Sequence, residues 1–199
     1  MDGDRVEFEQ LVRQARAGDV GAFERLYRSL ESGVHSYLLS QVREAELAVD
    51  LTQETFVRAW ASLGRLRSPG AFRGWLYRIA TNLVRDHVKS GRAKLEVTEA
   101  ALAGEEGQTS EPAASGDGPE GAAMAAELRS AVWSAIEQLA PPQRAAVVMH
   151  HLEGMSVQEI ARAQGVRPGT VLSRLARGRE ALRRLLGPYV EGQDEAEGM

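Results

Sequence analysis

Residues 155–186 read MSVQEIARAQGVRPGTVLSRLARGREALRRLL. Ser156 stands three residues before Glu159, the spacing at which an N-cap hydroxyl and an N3 carboxylate satisfy each other's unpaired backbone donors. A helix therefore starts here, with Ile160 and Ala161 as its apolar positions. Gly165 interrupts it, and Val166 and Arg167 follow. Pro168 suits the first turn of a second helix, where its missing N–H has no partner to lose. Two short helices across a tight Gly-containing turn make a helix-turn-helix.

At about 100° per residue, the second helix puts Val171, Leu175, Leu182 and Leu186 on one side, with Leu185 at the edge. Thr170, Ser173, Arg174, Arg177 and Arg184 fall on the other. The outer side of such a helix enters the major groove, where Arg donates two hydrogen bonds to guanine and Ser or Thr bonds base edges or phosphate. Residues 156–186 carry seven Arg and two Glu, a balance of +5, in a chain whose total is −4. A local positive field in an acidic protein suits a phosphate-facing surface. The plainer alternative is a solvated helical hairpin with a basic face. Cap, turn, proline and charge together favour DNA, with Arg167, Thr170, Ser173, Arg174 and Arg177 as the candidate contacts.

The 199 residues allow one large domain or two small ones, and 43% hydrophobic content is enough for real cores. No run of apolar residues is long enough to span a membrane. The N-terminus, MDGDRVEFEQ, lacks the apolar core of a secretory signal. There are no cysteines, which excludes disulfides and thiolate metal sites. The expected location is cytoplasmic. The apolar period is helical nearly throughout, so the fold class is all-α.

Working outward, residues 5–17 form an amphipathic helix with Val6, Leu11 and Val12 apolar, stopped by Gly18-Asp19. Residues 21–40 form a second, burying Phe23, Leu26, Tyr27, Leu30, Val34 and Leu38, with His35 as an isolated structural histidine. Residues 45–63 form a third, with Phe56, Trp60 and Leu63 toward the core. Asp50, Gln53, Glu54 and Arg58 lie on its neighbouring turns, which by spacing alone is an ordinary solvated face. A Gly/Pro loop follows at residues 64–70. Residues 71–89 form a fourth helix with Phe72, Trp75, Leu76, Ile79 and Leu83 in an apolar stripe. Arg78, Thr81, Asn82, Arg85 and Lys89 run along another face, and Tyr77 on the polar side has the chemistry to stack on an unpaired base. From Arg58 to Lys94 there are nine Lys or Arg and one Asp, a second basic patch that includes Arg65 and Arg67.

Residues 91–121 change character. Gly, Ala, Ser, Pro and Glu dominate, with seven acidic and two basic residues. Such a composition buries too little apolar area to fold, so the segment reads as a flexible linker whose first few residues prolong the fourth helix. It divides an N-terminal helical domain, 5–90, from a C-terminal one, 122–187. The latter opens with a helix at residues 122–139 carrying Leu128, Val132, Trp133, Ile136 and Leu139, ended by Pro141-Pro142. A short helix at residues 143–152 follows. His150, His151 and Glu153 faintly suggest metal ligands, but adjacent helical residues diverge and no distant partner completes a site, so no metal or other cofactor is expected. The acidic tail, 188–199, reads as disordered.

Two segments, LTQETFVRAW (51–60) with AFRGWLYRIATNLVRDHVK (71–89), and LAPPQRAAVVMHHLEGMSVQEIARAQGVRPGTVLSRLARGREALRR (139–184), resemble the bacterial extracytoplasmic-function (ECF) sigma factors. Their order and the intervening linker fit as well. The resemblance implies two helical domains, regions two and four, that bind RNA polymerase core and read the −10 and −35 promoter elements. It implies that Asp50, Gln53, Glu54 and Arg58 dock on the clamp helices of the polymerase largest subunit. The segment from Leu63 to Ala71, with Arg65 and Arg67, is implied to capture a flipped −10 base. Arg78, Asn82 and Arg85 are implied to contact the −10 element and its melted strand, and Lys89 is a further DNA-binding candidate on the same face. The helix-turn-helix becomes the −35 reader, the helices before it meet the polymerase flap, and an anti-sigma factor is an implied partner. Leu172 departs from the Arg or Lys often found at its position. Gly178 replaces a common Ala, and Gly weakens a helix by about 1 kcal/mol.

One rival is a helix-turn-helix regulator that binds DNA without polymerase. It needs a sensor domain, and the N-terminal half offers neither an α/β pattern nor a ligand motif. Another is an enzyme, for which there is no phosphate loop, nucleophile–base arrangement or metal spacing. A weaker third is a scaffold that holds polymerase without DNA.

Overall fold

The computed structural model describes residues 2–97 and 119–196, with side chains described for residues 6–89 and 127–187. Its elements in order are α1 (Asp2–Arg16), α2 (Val20–Val42), α3 (Ala45–Ser62), α4 (Phe72–Val97), α5 (Pro119–Glu137), α6 (Pro141–Val147), a π-helical turn (Val148–Leu152), α7 (Val157–Gln164) and α8 (Pro168–Ala196). The described residues contain no strand.

Local chemistry sets the boundaries. The Asp19 carboxylate accepts from the Ala22 amide at 3.0 Å and caps α2. At the other end, Arg43 takes a left-handed conformation, φ 60°, and its amide closes on the Leu39 carbonyl at 2.8 Å. The α3–α4 connection contains two 3₁₀ turns, Leu63–Arg65 and Pro69–Ala71.

In the N-terminal half, α1–α4 enclose an aromatic core. Tyr27 and Phe56 meet with ring centroids 4.7 Å apart, and Phe8 meets the buried Phe72 at 6.1 Å. In the C-terminal half the buried residues are smaller, among them Ala146, Val147, Val148, Ala163, Val171 and Leu175. Helices α6 and α8 come so close that a Cβ on Gly178 would stand 2.6 Å from the Val147 Cγ2. The glycine that looked only helix-weakening is therefore what admits α8 to this packing. Across the two halves, α4 lies on α7, and α2 on α6 and the π turn, in one continuous apolar cluster.

The core differs from the sequence reading at several points. Val6 is 60% exposed, and Phe8 makes the contact expected of it. Trp60 is 39% exposed at the rim, its ring packed on Phe23 at 4.9 Å. Leu128 is largely exposed. Residues 91–97 continue α4, and 119–121 already belong to α5. Ala, Arg, Lys, Leu and Glu at 92–96 are all good helix formers, so the first residues of the expected linker prolong α4, as the sequence suggests. The rest of the expected linker, 98–118, lies outside the described residues. The expected disordered tail also differs: α8 runs through Gly187-Pro188 to Ala196. Helix already nucleated on Val171 and Leu175 adds one hydrogen bond per residue, Pro188 excepted for want of an N–H.

Candidate nucleic-acid interface

The helix-turn-helix is built as its signals require. The Ser156 hydroxyl accepts from the Glu159 amide at 3.3 Å, and the Glu159 carboxylate accepts from the Ser156 amide at 2.9 Å. Gly165 closes α7 with φ 67°, and Val166 donates to the Ala161 carbonyl at 3.0 Å. Pro168 opens α8. Val171 and Leu175 are buried, while Arg167 and Arg177 are exposed. Three expected base contacts are more constrained. Thr170 is half-buried. The Ser173 hydroxyl donates to the Thr170 carbonyl at 2.9 Å. The Arg174 guanidinium donates to the Gln164 side-chain oxygen.

On α4, Arg78, Asn82, Arg85 and Lys89 are all exposed along one side. In the preceding loop, Leu63 and Leu66 are each 3% exposed and pin the chain. Arg65 and Arg67 alternate with them and face solvent. The structure thus gathers all six N-terminal candidates on α4 and the loop that leads into it. Two neighbours expected on the polar side are not there. Thr81 is buried and donates to the Tyr77 carbonyl at 2.7 Å. Tyr77 is 0% exposed, so it presents no ring to an unpaired base. The helical period put it on the polar side, but that side is covered by the other half of the molecule.

The cover is specific. The π turn followed by Gly154, φ 62°, carries Glu153 across to α2 and α4. The Tyr77 hydroxyl donates to the Glu153 carboxylate at 2.7 Å, and Arg73 donates to the Glu153 carbonyl at 2.9 Å. A Cβ on Gly33 would lie 1.9 Å from a Glu153 carboxylate oxygen, so any larger residue there would displace this carboxylate from its present position. Burial first, then the adjacent Glu153 charge, pushes the Tyr77 pKa far up. Tyr37, which donates to the Thr81 hydroxyl at 3.0 Å, is pushed up to about 12 by burial. Further along, Arg85 donates to the Gln164 carbonyl at 2.6 Å. Gln164 thus holds one arginine from each half. At the far end of the seam, Arg144 donates to the Ser40 carbonyl and Arg43 to the Glu137 carbonyl. Burial, then neighbouring Arg43, lowers the Arg144 pKa.

The outward side of α3 carries Asp50, Gln53 and Arg58 exposed and Glu54 half-buried, with Arg58 paired to Glu54 at 2.6 Å. Such an exposed i,i+4 pair contributes about 0.3–0.5 kcal/mol. The sequence reading missed Val49 and Val57, 44% and 62% exposed on this side. They lie off the buried stripe, which was the available signal. Near the π turn, His150 bonds the Met155 carbonyl at 2.8 Å while Glu153 engages Tyr77, so those three residues do not converge as ligands.

Comparison with known proteins fits this arrangement. The family model for Sigma-70 region 2 matches residues 26–94, and that for Sigma-70, region 4 matches residues 129–182. The chain is 37% identical over 186 residues to the ECF RNA polymerase sigma factor BldN of Streptomyces coelicolor, covering 93% of this chain and 68% of that one. The chain belongs to the ECF sigma factors. It is also 33% identical over 180 residues to the ECF sigma factor SigW of Bacillus subtilis, covering 88% of this chain and 94% of that one. The solved sigma factor RpoE of Bartonella quintana, in complex with the anti-sigma factor NepR, shares the fold with a TM-score of 0.70. It is 22% identical, with 84% of this chain and 98% of that one covered. An ECF sigma factor is not an enzyme. It binds RNA polymerase core and directs promoter-specific initiation through the −10 and −35 elements. No described helix is long and apolar enough to cross a membrane.

Proposed function

We propose that this sigma factor divides its work among three surfaces. Asp50, Gln53, Glu54 and Arg58 on α3 dock on the clamp helices of polymerase, with exposed Val49 and Val57 adding apolar contact, and the helices before the helix-turn-helix meet the flap. Arg65 and Arg67 flank the pocket for an extruded −10 base, and Arg78, Asn82, Arg85 and Lys89 hold the melted strand. Arg167, Thr170, Ser173, Arg174 and Arg177 take the −35 duplex. The observation that carries this reading is the exposed polar row on α4, in which Arg85 alone is seen bonded across to the other half, at the Gln164 carbonyl, beside a loop whose two arginines are thrust outward by buried leucines.

Physically, capture of an extruded base offsets an unstacking cost of a few kcal/mol, so strand opening needs no ATP. Two weak readers on one chain gain through effective concentration once polymerase fixes their separation. The protein acts in the cytoplasm, and an anti-sigma factor holds it silent. Support for that partner is the RpoE fold, solved with one bound.

The test is abortive RNA synthesis from a genomic promoter library by core polymerase, with and without this protein. RNA made only in its presence, and lost at −10 positions with Asn82→Ala, supports the assignment. Tight promoter binding without core, and no stimulated synthesis, overturns it.

A further inference from the structure

We infer that Leu172 is a specificity-determining residue of the −35 reader, recognising the 5-methyl group of one thymine in the major groove. The inference rests on the proposal that α8 enters that groove. A single exposed leucine is ordinary on a protein surface. The setting of this one is not. Leu172 is the fifth residue of α8 and is 56% exposed. Base contacts come from the N-terminal residues of a recognition helix. Its neighbours one turn away are the buried Leu175 and the exposed Pro168, Gly169 and Ala176, and a Cβ on Gly169 would meet nothing within 4 Å. No side chain on these turns screens Leu172 from a ligand.

The polar groups beside it are partly engaged. Ser173 donates to Thr170, Thr170 is half-buried, and Arg174 donates to Gln164. Leu172 is therefore the apolar group that the early turns of the helix present beside these partly engaged polar ones. Arg167 and Arg177 stand exposed before and after it. Cations at the edges suit phosphates, which position the helix without reading sequence. A phosphate offers nothing to an isobutyl group. The apolar group that a base edge presents in the major groove is the thymine methyl, so a Leu exposed on the early turns of α8 selects thymine by contact.

The experiment uses the full chain with core polymerase. Selection from a library randomised at −35 first defines the preferred element. Each thymine on either strand is then replaced singly by deoxyuridine, which removes only the methyl, and open-complex formation is measured. One replacement should weaken the wild type about three- to fivefold, the effect of one buried methyl. Leu172→Ala should weaken the parent promoter similarly and be indifferent to that same replacement. Leu172→Arg should shift the selected base there from thymine to guanine. An element lacking thymine, no deoxyuridine effect, or a Leu172→Ala protein still sensitive to the same methyl overturns the inference. Arg177→Ala separates the two layers. If it weakens −35 binding while the methyl tests fail, only the role of Leu172 falls; if neither variant alters −35 binding, the placement of α8 falls as well.

Discussion

The two halves of this sigma factor close their cores by different means. In α1–α4, large rings interlock, with Phe8 on Phe72 and Tyr27 on Phe56. In α5–α8 the buried residues among those described include no aromatic ring, and helices approach until a glycine at 178 is required. Part of the polar inventory of α5–α8 reaches across: the Glu153 carboxylate ends on the other half, and Gln164 and Arg144 bond both halves. A small unit that reads DNA with one face has little volume left for a core, and it leans on its neighbour.

The contrast can be broken most severely at Phe72. Phe72→Ala should cost about 3–5 kcal/mol, read by denaturant unfolding, and should unfold the N-terminal half first. Equal loss of signal from both halves at every denaturant concentration would show instead that they unfold as one unit. Next comes the seam. Glu153→Ala leaves the buried Tyr77 hydroxyl without its acceptor and should cost about 1.5–3 kcal/mol, with a longer distance between spin labels on α2 and α8. A double-mutant cycle with Tyr77→Phe should return most of that as coupling; a coupling near zero would mean the seam is held elsewhere. Gly178→Ala gains about 1 kcal/mol in helix propensity but drives a methyl into buried Val147, for a net loss of about 1–2 kcal/mol by thermal unfolding. An unchanged or higher melting temperature would show that α6 yields freely.

The smallest effect is a pH dependence. Burial, then His150 and Arg179, lowers the His151 pKa from 6.5, so the folded state binds this proton less readily than the unfolded state. The corresponding stability is complete above pH 6.5 and is lost as pH falls through the folded-state value. His151→Gln should flatten the stability profile slightly in that window, and should leave it unchanged at pH 8.

What could be read from residues alone follows the range of the forces involved. The helix-turn-helix was legible because Ser156, Glu159, Gly165 and Pro168 act within a few residues of themselves. The α4 row from Arg78 to Lys89 was legible for the same reason. Tyr77 and Thr81 were misplaced because the helical period assigns a face but cannot say that a second unit will cover it. Glu153 was passed over as a faint metal ligand, since its partners lie more than seventy residues away and its direction depends on a π turn. Leu172 was visible only as a departure from a pattern; its exposure and the engagement of its polar neighbours needed coordinates.

The Arg85–Gln164 bond has a thermodynamic corollary. In the closed arrangement that guanidinium is already occupied, so a DNA strand that needs it binds a state with the halves apart. The apparent affinity of the isolated chain is then its intrinsic affinity multiplied by the fraction open. Anything that holds the halves apart removes that penalty, and reciprocity requires that DNA strengthen its hold by the same factor. Two ligands that never touch become mutually cooperative, and each 1.4 kcal/mol of closing free energy makes their coupling about tenfold larger.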